Sequence, residues 1–303
     1  MQRILVTGGL GFIGSHTSLL LIEKGYEILI VDSLINSSIK ALERINEIIN
    51  IKYPQMKNKI SFFKGDLRDE SFIRGIFFKQ NKIGKPITGV IHFAGLKSIN
   101  ESINEPLKYW DFNLVSTINL LKVMNLFECR TIVFSSSASV YGSSKTNLIN
   151  EDNKLDPINP YGLTKLTIEN VLANLYESSL KEWKIINLRY FNPIGAHDSG
   201  LIGEDPKDVP NNIFPLIQKV AAKELPKLTI YGDGNQTRSF CFVDDLIDGL
   251  YKLMKSSYVE PINLGNPSEF KISELANLVI SKVDPKNLTV VLSVSKPVVP
   301  SNT

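Results

Sequence analysis

Tyr161 and Lys165, in the stretch YGLTK, set a phenol and an ammonium group four residues apart just after Pro160. On a helix that spacing puts both on one face, one turn apart. Free tyrosine ionises near about pH 10 and is a poor base at neutrality, but an adjacent positive charge favours the phenolate and lowers that value. The pair therefore suits removal of a proton from a substrate hydroxyl, although a chance YxxxK at an exposed helix start has the same spacing. The run FSSSASVYG follows the apolar stretch TIVF, which places hydroxyls at the carboxyl end of a strand, the ligand-binding edge of an open α/β sheet. Among them Ser137 is suited to bind a substrate hydroxyl and to pass its proton towards Tyr161.

A second constellation lies at the start. Gly8, Gly11 and Gly14 in TGGLGFIGSH follow the run RILVT and open a helical pattern. Glycines let the backbone approach a pyrophosphate, and a helix N-terminus offers free N–H groups and a partial positive charge. The next strand, EILIV, ends at Asp32, where a carboxylate accepts hydrogen bonds from an adenosine ribose and repels a 2′-phosphate. This favours NAD over NADP; the plainer reading of Asp32 is a cap before the next loop. Asp66 and Leu67, after ISFFKG, read equally as contacts to an adenine edge or as the N-cap of a helix in DLRDESF.

The elements that must hold these groups are legible as an alternation. Six short apolar runs, RILVT, EILIV, ISFF, GVIHF, TIVF and KIINL, alternate with helical patterns, the signature of βαβ units. The clearest helix spans Gly14 to Lys24 and is closed by Gly25. Two more, Pro106 to Phe127 and Pro160 to Ser179, begin with proline, whose missing N–H has no helical partner at that position. After Leu188 comes RYFNPIGAHDSGLIGEDPKDVPNN, a long polar loop of the kind that is usually functional. The expectation is an α/β fold: a Rossmann-type doubly wound parallel sheet over residues 1–189, then a smaller, irregular substrate domain over 190–303, with part of 238–250 returning to the first.

A chain of 303 residues, 43% hydrophobic, can bury a large core. Its formal charge of +3 is scattered as single lysines, which argues against nucleic acid or a membrane surface as partner. Cys129 and Cys241 lie far apart without ligand spacing, so neither a disulfide framework nor a metal site is expected, and a reducing cytoplasm fits. His16, His92 and His197 have no spacing that gathers them round a metal and read as packed or loop residues.

Taken together, TGGLGFIGSH, HFAGLKSINESINEPLKYW, FSSSASVYG, NPYGLTK and RYFNPIGAHDSGLIGEDP resemble the extended short-chain dehydrogenase/reductase family, and within it the UDP-glucose 4-epimerase branch. The resemblance is dense from residue 1 to about 218. It implies that Tyr161 is the base, that Lys165 tunes it and binds ribose, and that Ser137 orients the sugar. It implies that Phe12, Ile13, Asp32, Asn36 and Ser37 hold the adenosine half of NAD, while Phe93, Ala94, Lys97, Asn113 and Phe191 line the other half. Asn192, Asn212 and Arg238 would bind the UDP-sugar, the guanidinium pairing with its diphosphate. The implied reaction is transient oxidation at sugar C4 with hydride transfer to retained NAD and return to the opposite face. A homodimer through the helices 106–127 and 160–179 is implied as well.

Rival readings inside the family are UDP-N-acetylglucosamine 4-epimerases, UDP-glucuronate decarboxylases and 4,6-dehydratases. Dehydratases of the family carry an Asp-Glu pair directly after the catalytic hydroxyl, where this chain has Ala138 and Ser139. IYGDGNQTRSFCFVDDLIDGL and PINLGNPSEF resemble the decarboxylase and dehydratase branch, and VLSVSKPVVPSNT lacks the family's Arg–Glu–Gly–Asp-like segment. The expectation there is a truncated chain, a nucleotide held differently, or impaired turnover; a non-catalytic NAD-binding protein is the reading of another class.

Overall fold

The computed structural model describes residues 2–143, 148–207, 212–283 and 289–293. The stretch 208–211 of the long loop and the terminal 294–303 lie outside them. Continuous apolar, β-branched runs belong in a parallel sheet covered on both sides. They form β1 (Arg3–Thr7), β2 (Glu27–Asp32), β3 (Ile60–Lys64), β4 (Gly89–His92), β5 (Thr131–Ser137) and β6 (Lys184–Tyr190). Every residue of β1 and β4 is buried. Beyond them come β7 (Asn192–Ile194), β8 (Lys227–Tyr231), β9 (Thr237–Phe242), β10 (Ile262–Leu264), β11 (Glu269–Lys271) and β12 (Thr289–Ser293).

The main sheet has seven strands in the order β10-β6-β5-β4-β1-β2-β3, all parallel. All six runs found in the sequence are in it. The seventh strand, three residues long, is too short to carry a period. The long loop is less irregular than its composition suggests, because it contains β7, which pairs with β9, and a bridge between Ala196 and Gly203.

The helices are α1 (Phe12–Glu23), α2 (Ile39–Lys52), α3 (Glu70–Lys82), α4 (Ile99–Asn104), α5 (Pro106–Tyr109), α6 (Ser116–Leu126), α7 (Pro160–Ser178), α8 (Ile213–Ala221), α9 (Val243–Lys255) and α10 (Ile272–Val283). Between α5 and α6, Trp110–Val115 forms a π-helical turn. Gly25 follows α1 with φ +89°, a left-handed conformation that glycine adopts without a Cβ penalty. Proline opens α7, and the Asn159 side chain caps it by accepting from Gly162 N at 2.8 Å. That cap fixes the first turn, which carries Tyr161.

Two core clusters flank the sheet. One includes Val243, Leu246, Ile247, Leu250 and Met254, the apolar face of α9, packed with α1. Full burial of such side chains stabilises by about 1.5–3 kcal/mol each. Residues from beyond the long loop therefore cover the sheet's own first helix. A third cluster joins Ile217, Val220, Leu228, Ile230, Phe240 and Leu275 over the small β7-β9-β11 and β8-β12 sheets.

Candidate active site

A cleft of about 1650 Å³ opens along the carboxyl ends of the strands. Pockets for a single small ligand measure about 300–1,000 Å³, so this one has room for two large ligands end to end. It crosses the point between β1 and β4 where the strand order reverses, the place where open α/β sheets bind their ligands. The loops after these two strands touch: a Cβ on Gly8 would lie 2.7 Å from Ala94 N, and one on Gly14 would lie 2.2 Å from Gly8 O. No side chain caps α1 at Gly11, and no acid occupies its first turn. The free N–H groups at Phe12 and Ile13 can therefore receive an anion. This cradle fits the diphosphate of a dinucleotide, and Gly8, Gly11, Phe12, Ile13 and Gly14 all line the cleft.

Asp32, Asn36 and Ser37 line the same end. The Asp32 carboxylate accepts from Leu10 N at 3.0 Å, Leu34 N at 2.9 Å and Ser37 Oγ at 2.7 Å. It thus ties the glycine turn to the loop after β2, as the plainer reading has it, and still faces the cleft. Asp66 and Leu67 are cleft residues too. Asp66 does not cap α3; Asp69 does, accepting from Phe72 N at 3.1 Å. The Arg68 guanidinium holds the Asp66 carboxyl below its usual range and lies 3.6 Å over the Phe112 ring.

At the far end, Ser137 Oγ accepts from Ser139 N at 3.2 Å and from Ser139 Oγ at 2.9 Å. With both lone pairs taken, its own proton is free to point at Tyr161, whose ionised form it favours. Lys165 Nζ donates to Ser135 O at 2.7 Å, and stands 4.9 Å from the Phe134 ring centre and 5.8 Å from that of Tyr161. The expectation of a lowered tyrosine pKa needs correction. Burial raises the Tyr161 phenol, and Ser137 only partly opposes it. The large shift falls on Lys165, which burial pushes down to about 8 against the pull of Glu169.

Phe93, Ala94, Lys97, Phe191, Asn192, Asn212 and Arg238 line the cleft. Asn113 sits one layer behind it. Buried, it accepts from Leu96 N at 2.7 Å and donates to Leu96 O and Thr164 Oγ1, both at 3.1 Å, so it fixes the loop after β4. The segment from Ala196 to Lys207 straps across the cleft: Glu204 pairs with Lys97 at 2.9 Å and accepts from Asn212 Nδ2 at 2.8 Å, and Lys207 Nζ donates to Leu34 O at 2.6 Å. Asn192 Nδ2 donates to Ser239 O at 2.9 Å, and Arg238 stands exposed on β9. Sequence reasoning missed Ser139, Glu204 and the wall Leu228, Thr229 and Ile230. Only Ser139 had a local signal, its place two residues after Ser137. His92 is a packed histidine as read: its ring nitrogens lie 2.7 Å from Thr7 Oγ1 and 2.8 Å from Thr117 Oγ1, and burial pushes it down to about 3.

The sequence matches, over residues 5–297, the family described as GDP-mannose 4,6 dehydratase. It is 43% identical over 288 residues, 91% of this chain and 80% of the relative, to a bifunctional UDP-glucose 4-epimerase and UDP-xylose 4-epimerase of Arabidopsis thaliana. A UDP-glucose 4-epimerase of Pisum sativum is 42% identical over 286 residues, 90% of this chain and 79% of its own. Among solved structures, the UDP-glucose 4-epimerase of Bifidobacterium longum in complex with NAD+ and UDP superposes with a TM-score of 0.88 at 38% identity. That match covers 98% of this chain and 87% of the other.

Proposed function

The chain belongs to the NAD-dependent epimerase/dehydratase family of extended short-chain dehydrogenases/reductases, and from that premise we propose that it is a UDP-glucose 4-epimerase. It is an isomerase of carbohydrate metabolism that interconverts UDP-glucose and UDP-galactose. The observation that carries this reading is that Ser139, bonded to Ser137, lines with Tyr161 and Lys165 one cleft large enough for a dinucleotide and a sugar nucleotide together. Although the matching family takes its description from a dehydratase, Ala138 and Ser139 supply no carboxylate where a dehydratase needs its acid and base.

NAD supplies the acceptor and the return donor for the C4 hydride. The glycine cradle with Phe12 and Ile13 holds its diphosphate, Asp32 and Ser37 its adenosine ribose, and Lys165 its second ribose. Tyr161 Oη takes the proton of the sugar 4-hydroxyl and later returns it, with Ser137 holding that oxygen and the Lys165 ammonium favouring the phenolate. Asn192, Asn212 and Arg238 anchor the UDP end while the sugar end turns. Residues 1–189 make the dinucleotide-binding unit and 190–303 the sugar-nucleotide side, with α9 and β10 returning to the first. The groove lined by Ile118, Leu121, Val171 and Leu175 between α6 and α7 serves a homodimer. Among the described residues no helix is long and apolar enough to cross a membrane, and we assign the protein to the cytoplasm.

The test is a proton NMR time course with UDP-galactose and no added NAD. UDP-glucose accumulating to a constant ratio is the expected result; unchanged UDP-galactose with cofactor demonstrably bound would remove the assignment. A parallel tube with UDP-xylose asks whether the double activity in the Arabidopsis relative's name extends to this chain.

A further inference from the structure

We infer that Glu169 and Arg189 form a buried positioning unit that holds the hydroxyl-bearing end of β5 in place and sets the surroundings of Lys165. This rests on the roles given above to Tyr161 and Lys165. Neither residue touches the reacting atoms; both act through neighbours.

Glu169 on α7 and Arg189 on β6 have side chains only 5% and 4% exposed. They meet as a fork: Arg189 Nη2 donates to Glu169 Oε2 at 2.7 Å and Nε to Oε1 at 3.1 Å. Ser136 Oγ donates to the same Oε1. On the other side, Arg189 Nη1 donates to Tyr141 Oη at 2.8 Å, and Tyr141 Oη donates to Asn263 Oδ1 at 2.7 Å. This polar chain thus grips the residue just before Ser137 and the last residue of the turn after it, and it fastens both to α7, β6 and β10. A buried ion pair seldom adds stability over well-packed apolar side chains, so its presence under these serines needs another reason.

The reason lies one turn away. Glu169 follows Lys165 by four residues on the same helix face. Facing Lys165 are Tyr161 and Glu169 of α7, the Ser135 carbonyl and Phe134 ring of β5, and His92 of β4. His92 is neutral, and Arg189 is spent on Glu169. Glu169 is therefore the carboxylate that supports the ammonium against burial.

The experiment measures kcat, KM and bound NAD for the full-length Glu169→Gln and Glu169→Asp enzymes from about pH 6 to about pH 10. Glutamine keeps the shape and one acceptor oxygen and removes the charge. Bound NAD and KM should stay within about twofold, kcat should fall about tenfold or more, and the alkaline loss of activity should move to lower pH. Aspartate keeps the charge and should return that limb to its wild-type position. A Glu169→Gln profile that superposes on wild type after scaling overturns the inference, as does an unchanged kcat. Should the glutamine variant fail to fold, Tyr141→Phe decides: it unpairs no charge, and it should lower kcat several-fold at constant KM, an unaltered kcat again overturning the inference. Tyr161→Phe in the same series separates the two levels, since activity there would sink the underlying mechanism instead.

Discussion

At Tyr161 two effects oppose each other. Burial raises the phenol, while Ser137 favours its ionised form. Lys165 is the more sensitive partner, because burial brings its pKa down to about 8 and its charge is lost as pH rises through that value. Turnover should accordingly decline on the alkaline side of about pH 8, while bound NAD, counted after denaturation, stays constant. Replacing Tyr161 by Phe removes the proton acceptor and leaves the cradle untouched. That variant should keep its NAD and lose activity by about a hundredfold or more, as removal of a positioned acid–base group does. YxxxK and the serine run were legible because a helix face and a strand end are local features. The direction of the tyrosine shift was not, because burial depends on residues far away in the chain. Glu169 went unnoticed for a related reason: its place four residues after Lys165 was visible, but its partners Ser136 and Arg189 come from other strands.

The glycine turn shows how an element can hold a site without a single side chain. Gly14, in the first turn of α1, lies so close to Gly8 O that any Cβ must displace backbone. Gly14→Ala should therefore strain the fold by about 1–3 kcal/mol. It should also yield protein with much less bound NAD, and a cofactor content equal to wild type would show that the turn does not set the cradle. Six strands and the starts of the proline-led helices could be read beforehand from continuous apolar runs and caps. β10 could not, since three residues carry no period and the strand exists only because β6 offers an edge. The role of Asn113 was hidden likewise: the π-helical turn that carries it bears no sequence mark, and its side chain serves a loop instead of the cleft.

At the scale of the whole molecule, an apolar groove lies between α6 and α7. If it seats a second copy, light scattering should give twice the 33.9 kDa chain mass, and Ile118→Glu should return the mass of one chain with the fold intact. A wild-type protein of single-chain mass would reject the dimer. The overall plan was legible because alternation of strand and helix dictates a parallel sheet. The return of α9 and β10 to that sheet depends on contacts distant in sequence. The strap from Ala196 to Lys207 carries a consequence for the order of events during synthesis. A ribosome delivers β1 to β6 first, with the glycine cradle and both loops at the switch point, while the strap and its anchor Asn212 emerge later. The dinucleotide can thus enter an open cleft on a partly made protein and be closed in as the remainder arrives.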